Sequence, residues 1–363
     1  MLKDRPVPPG LAPFWNGTVG TFATLSNPPI PEEMKERHRM YSLLLMSLIV
    51  TQWNGNKHGE LGDYGIWRTA QQLAVLPTGQ KLYRGGTYLG HNIAALAVDG
   101  EGRIMDFDFN HNDIFDSSVE HAESRLVRRL FALTQVYDPW VSRRGGSSNG
   151  DTKMCRRDLR PRQNHHLFAT AIDTNSKLAI HPAPYSTLLK DVTIYTSLES
   201  CAQCSGIMCL ASVKEIVYLQ WDQGQFLIGN MMWQATTTQA SGFVAPRPIR
   251  GDEFDFEYFA ALNDANDDFS GRLNDNPFYK DSNGNVKKMP SVTSFLCTDK
   301  AYGIFQAANN ELLSWKTCKF PEYRPTASAF SNEEVLSQVQ DYLSWLLEFN
   351  KLQINNRGTS HRV

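Results

Sequence analysis

Between Glu32 and about Trp53, apolar residues recur every three to five positions, at Tyr41, Leu44, Leu45, Ile49 and Val50, which predicts a helix. Ahead of it, "RPVPPGLAPFWNG" and "SNPPIPEE" are too rich in Pro and Gly for either period and read as an irregular arm. After the loop "NGNKHGELGDYG", a weaker helical pattern covers 66–76. The period then shortens. "NIAALAVDGEGRIMDFDFN" (92–110) has two short runs separated by Asp-Gly-Glu-Gly, which predicts a β-hairpin. Ser117-x-x-Glu120 has the form of a capping box, and Ala122, Leu126, Leu130, Leu133 and Tyr137 form a helical stripe that Pro139 closes.

Further on, 166–182 reads as a second hairpin turning at Thr174-Asn175, 191–199 as a strand, 201–210 as a helix and 214–221 as a strand. Residues 252–269 are acidic and aromatic, helical at first. A final amphipathic helix opens at Ser331-x-x-Glu334, with Val335, Val339, Tyr342, Leu346 and Phe349 on its inner face. Hairpin, helix, strand, helix, strand is the order of an α/β fold whose helices cover a mixed sheet. Residues 1–88 read as an N-terminal arm and helical region, with 32–53 as a candidate first core helix. Residues 89–222 read as the core with a basic insertion at about 138–188, and 223–363 as a C-terminal extension.

Composition narrows the class only slightly. The 363 residues are 41% hydrophobic and 20% charged, ordinary for a globular protein, and the net charge of −2 confines any nucleic-acid affinity to a local patch. One such patch is 143–162, which includes Arg143, Arg144, Arg156 and Arg157 as candidate phosphate contacts; a solvated loop is the alternative. Arg125, Arg128 and Arg129 read as a solvated helix face. The longest apolar run, 41–50, is too short to span a bilayer, so the expectation is a cytoplasmic protein with no membrane partner.

Three of six cysteines fall within "SLESCAQCSGIMCL" (197–210). Alone, Cys201-x-x-Cys204 fits a metal site, a redox pair or buried core equally well. A strand ends just before Cys201, which places both thiols at a helix N-terminus, where thiolates are favoured. His121 and Glu123 decide between the readings. An imidazole completes three protein ligands for one Zn²⁺ per chain, leaving the fourth position open, and a carboxyl beside it can move protons. A thioredoxin-type pair explains neither residue. Cys209, off that face, reads as core.

The pattern H-x-E…P-C-x-x-C, met here except that Ser200 stands at its proline, is that of the zinc nucleobase deaminases. "HAE" with "TIYTSLESCAQCSGIMCLASVKEIVYLQ" resembles the cytidine deaminase superfamily, and within it the bacterial tRNA adenosine deaminase branch. The likeness covers roughly 90–136 and 188–222, with Ser200 where the family has proline. Serine is a good N-cap whose hydroxyl could bond the first-turn N–H groups. The resemblance implies a cytidine-deaminase-like mixed sheet with helices on both faces, elaborated by insertions. It implies His121, Cys201 and Cys204 as zinc ligands and Glu123 as the catalytic proton carrier. Asn110, with Asn112 competing, and the backbone near Ala122 and Ser200 would bind substrate.

Adenosine to inosine in RNA such as tRNA is the activity implied, with RNA as partner and a homodimer as one assembly. Cytosine deamination on single-stranded nucleic acid is the alternative, followed by a free nucleobase or nucleoside such as guanine or cytidine. The non-enzyme alternative is a zinc-stabilised nucleic-acid-binding or partner subunit.

Overall fold

The computed structural model describes residues 28–51, 53, 91–112, 117–131, 189–225, 227–237, 243–275 and 291–356. The expected helix at 66–76, the hairpin at 166–182, the stripe residues Leu133 and Tyr137, and Arg143, Arg144, Arg156 and Arg157 lie outside these residues.

The helix expected from residue 32 forms as α1, Glu32–Thr51. The hairpin forms as β1, Ala94–Val98, and β2, Ile104–Phe109, paired antiparallel. Its turn is held by Asp99, whose Oδ1 accepts the Glu101 and Arg103 N–H groups at 2.9 and 2.8 Å. Gly102 takes φ of 88°, a left-handed conformation that favours glycine. Next along the chain come α2 (residues 122–131), β3 (Thr193–Thr196), α3 (Ala202–Leu210) and β4 (Glu215–Tyr218). Then follow α4 (Ile228–Thr237), β5 (Arg247–Arg250), a 3-10 turn at Gly251–Phe254 and α5 (Glu257–Asp275). The chain continues through the single turn α6 (Val292–Phe295), then α7 (Asp299–Ser314) and α8 (Asn332–Asn356).

The sheet order is β2-β1-β3-β4-β5, antiparallel across β2-β1-β3 and parallel across β3-β4-β5. A hairpin joined to strand–helix–strand units dictates that mixture, because parallel neighbours need a crossover and antiparallel ones do not. Every residue of β1, β2 and β4 is buried, so both faces are covered. On one face Leu96, Phe107 and Tyr195 are in register. There Tyr195 packs on Tyr41 and His38 of α1, with ring centroids 5.2 and 5.8 Å away, and Phe107 packs on Tyr342 of α8. On the other face Asp108 and Thr196 both pair with Ala95 and meet α2. The α/β class and the mixed sheet with helices on both faces are therefore as expected.

One expectation changes. The sheet does not stop at residue 222: β5 adds a fifth strand from the segment assigned to the extension. α1, the candidate first core helix, is buried along most of its length. Met40, Leu43, Leu44, Leu45, Met46 and Leu48 are all fully buried, because α7 and α8 pack over the side of α1 that the sheet leaves open. Glu36 anchors this outer layer by accepting the Phe320 N–H at 3.0 Å and the Asn332 side-chain amide at 3.0 Å. The capping box at Ser331 forms in both directions, with Ser331 N–H on Glu334 at 2.7 Å and Glu334 N–H on Ser331 Oγ at 3.2 Å. Val335, Val339, Tyr342 and Leu346 face inward below it. Among the described residues no helix is long and apolar enough to cross a membrane.

Candidate active site and metal centre

The site forms where the N-termini of α2 and α3 meet beside the end of β3. The start of α2 differs from expectation. His121, not Ser117, precedes the first helical residue, and its carbonyl accepts the Arg125 N–H at 2.9 Å. Ser117 Oγ accepts only the Val119 N–H, and Glu120 pairs with Arg125 and Arg128 instead of closing a capping box. The side-chain cap comes from β2: Asn110 Oδ1 accepts the Ala122 N–H at 2.7 Å. A cap held rigidly at the end of a buried strand displaces the local one. The Ala122 N–H expected to meet substrate is thus already engaged. The buried Oδ1 of Asn112 has no partner among the described residues.

The second start also differs. Cys201 is the N-cap of α3, in extended backbone and without a side-chain capping bond, and its carbonyl accepts the Ser205 N–H at 2.9 Å. Cys204 follows in the first turn. The expected capping role of the Ser200 hydroxyl is not realised, because that hydroxyl donates to Glu123 Oε1 at 3.0 Å.

His121 Nδ1 lies 3.4 Å from Cys201 Sγ and 3.6 Å from Cys204 Sγ, and the three ligand atoms lie within 4.8 Å of one another. Cys204 is buried, whereas His121 and Cys201 are half-buried, so the cluster opens on one side. Two sulfurs and an imidazole nitrogen converging at that separation fit a tetrahedral Zn²⁺ with one position left for another ligand. The protons fit as well. Hydrogen bonding with Cys204 and with His121 pulls the Cys201 thiol down to about 4. The same bond and burial push Cys204 up, and the bond to Cys201 raises His121. Thiolate ligands must shed their protons when a metal binds.

Glu123 is 4% exposed, beside the three ligand groups. Its Oε1 accepts Ser200 Oγ and, at 3.2 Å, Thr196 Oγ1; its Oε2 is 3.5 Å from Cys204 Sγ. Burial raises its pKa above the usual carboxylate range, against the Ser200 bond and the His121 charge.

Three groups that sequence reasoning missed frame the opening. Buried Glu199 accepts the Leu227 N–H at 2.6 Å and the Asp222 N–H at 3.2 Å. Gln225 Oε1 accepts the Ala202 N–H at 3.1 Å, and Gln203 donates to the Val119 carbonyl at 3.1 Å. Each ties the start of α3 to a neighbouring segment, but their polar side chains carry no periodic signal. Gly229 and Asn230 of α4 line a small cavity with Glu199, Ser200 and Tyr218.

The arginines of α2 correct another expectation. Arg128 is solvated, but Arg129 bonds Asp106 and, at 2.9 Å, Asp108, while Arg125 Nε lies 3.3 Å from Asp108. Both aspartates are buried on β2. Period two in "DFDF" puts them on one face, and Arg125 and Arg129 at i, i+4 match that face.

No protein-family model matches the sequence, and no curated protein matches it. Solved structures do. One, described as "Biochemical and Structural Studies of A-to-I Editing by tRNA:A34 Deaminases at the Wobble Position of Transfer RNA", is 15% identical with a TM-score of 0.24, over 44% of this chain and 82% of that one. So loose a superposition carries no information about chemistry, which rests on the distances above.

Proposed function

We propose that this chain is a zinc-dependent hydrolytic deaminase of a nucleobase, most simply adenosine to inosine in RNA such as tRNA. One observation carries the reading: a buried carboxylate, Glu123, lies beside the His121, Cys201 and Cys204 donor set. A purely structural zinc site has no use for it.

Zinc, when bound, supplies the Lewis acidity that makes water a nucleophile near neutral pH. Glu123 does the proton work. It takes the two protons of the attacking water in turn, giving the first to the ring nitrogen and the second to the departing amine, so that N=C–NH₂ and H₂O become HN–C=O and NH₃. The partial exposure of His121 and Cys201 gives the base an approach, and Asn110 lies at the α2 end of it. Arg143, Arg144, Arg156 and Arg157 are assigned to backbone phosphates in this reading. The preference for adenine in RNA rests on the likeness of residues 193–219 to the tRNA adenosine deaminase pattern.

A panel of structured tRNA, single-stranded DNA containing A and C, and free purines and pyrimidines tests the reading. Deamination adds about one dalton, read by mass spectrometry. A gain confined to adenosine in tRNA is expected. A preference of roughly a thousandfold for a free nucleoside over the polymer would overturn the RNA assignment.

A further inference from the structure

We infer that Ser200, acting with Thr196, is a positioning residue that fixes the Glu123 carboxylate in its working orientation; this rests on the deaminase reading of the site.

Ser200 occupies the place where the resemblance leads one to expect proline, a residue with no donor to offer. A serine directly before a helix would ordinarily cap it. Here Cys201 is the N-cap without a side-chain bond of its own and Gln225 takes the first N–H of α3, so the hydroxyl of Ser200 is left for another partner. It reaches Glu123 Oε1 at 3.0 Å, and Thr196, the last residue of β3, reaches the same oxygen at 3.2 Å. Each hydroxyl has one hydrogen, and both are directed at one oxygen of the carboxylate. The other oxygen, Oε2, is left on the Cys204 side, 3.5 Å from that sulfur.

All three residues are at most 5% exposed, so water does not compete for these bonds. Ser200 and Thr196 sit on the strand end that leads into the cysteine helix, whereas Glu123 sits on the helix that begins with His121. The two bonds therefore tie the proton carrier to the ligand pair across two separate elements. Free rotation about the Glu123 side chain would exchange Oε1 and Oε2 and swing the carboxylate from the metal position; two fixed donors on one oxygen prevent both.

The test compares full-length, zinc-loaded wild type, Ser200→Ala, Ser200→Thr and Thr196→Val, with tRNA as the probe substrate and crystal structures of each. Zinc content and thermal unfolding serve as controls on folding. Expected for Ser200→Ala is a Glu123 carboxylate displaced or split between rotamers, with kcat lowered roughly 10–100-fold and KM within a factor of about three. Ser200→Thr, which keeps the hydroxyl, restores both orientation and turnover. Thr196→Val, close in shape but without the donor, shifts the carboxylate in the same sense. The inference is overturned if Ser200→Ala leaves the carboxylate in place, or displaces it with kcat within about twofold of wild type. Should wild type fail to deaminate tRNA, the RNA reading falls, and the crystallographic comparison alone decides whether Ser200 orients Glu123.

Discussion

Glu123 has hydroxyls on one oxygen and the Cys204 sulfur beside the other, an asymmetry for which the proposed catalytic reading has a use and a structural zinc knot would not. Cys201 and Cys204 make a different contribution, since removing either leaves two donors for a four-coordinate ion. Cys201→Ala and Cys204→Ala are each expected to fall from one bound zinc per chain to a small fraction, measured by elemental analysis after dialysis. Retention of full zinc by either would remove that sulfur from the ligand set. At this scale the sequence was informative wherever chemistry demands a residue type. His121, Glu123 and the two cysteines are readable because their spacing serves a known purpose. Ser200 was visible only as a departure, and its hydroxyl partner could not be read, because Thr196 and Glu123 meet through tertiary packing with 73 positions between them. Glu199, Gln203 and Gln225 were equally invisible, since a side chain that ties one loop to another obeys no period.

At the level of elements, α2 is fixed to the sheet by charge as well as by its apolar stripe. Asp108 is fully buried and meets both Arg125 and Arg129. Deleting one member of a buried ionic cluster strands the others, so Asp108→Ala should cost roughly 3 kcal/mol in denaturant unfolding. Adding Arg125→Met should recover part of that loss, whereas Arg129→Met should not, because it strands buried Asp106 in turn. A cost below about 1 kcal/mol would mean that the arginines find solvent as easily as the sequence alone suggested. The hairpin and the last helix were legible because turn residues and a reciprocal capping box act locally. The start of α2 was not, because Asn110, a neighbour in space, provides the cap in place of Ser117.

Across the whole molecule, α7 and α8 turn α1 into an interior helix, and this burial reaches His38. The ring is 2% exposed, bonds Tyr195 at 2.9 Å, and is pushed down to about 4 by burial. The unfolded chain takes up that proton near 6.5. Its contribution to stability is therefore full above about 6.5, declines as pH falls, and is lost by about 4. Glu199, pushed up to about 7 by burial, works in the opposite sense, gaining stability as pH falls from 7 towards 4.5. The difference between wild type and His38→Gln isolates the first effect and should shrink by roughly 3 kcal/mol between pH 7 and pH 4. A flat difference would show that the ring is solvated. The α/β order was readable from periodicity; the outer layer over α1 was not, since an apolar helix reads alike whether one face or all of it is covered.

The central claim is that Glu123 carries protons for a hydrolytic deamination at a zinc site built from His121, Cys201 and Cys204. The most direct measurement is ammonia release, with the matching mass gain in tRNA, by zinc-loaded wild type and by Glu123→Gln at equal zinc content. The account predicts turnover by wild type and a loss of roughly 10²–10⁴-fold in Glu123→Gln with zinc retained. Equal turnover by both proteins, or zinc-loaded wild type that releases no ammonia from any nucleobase substrate, would contradict it.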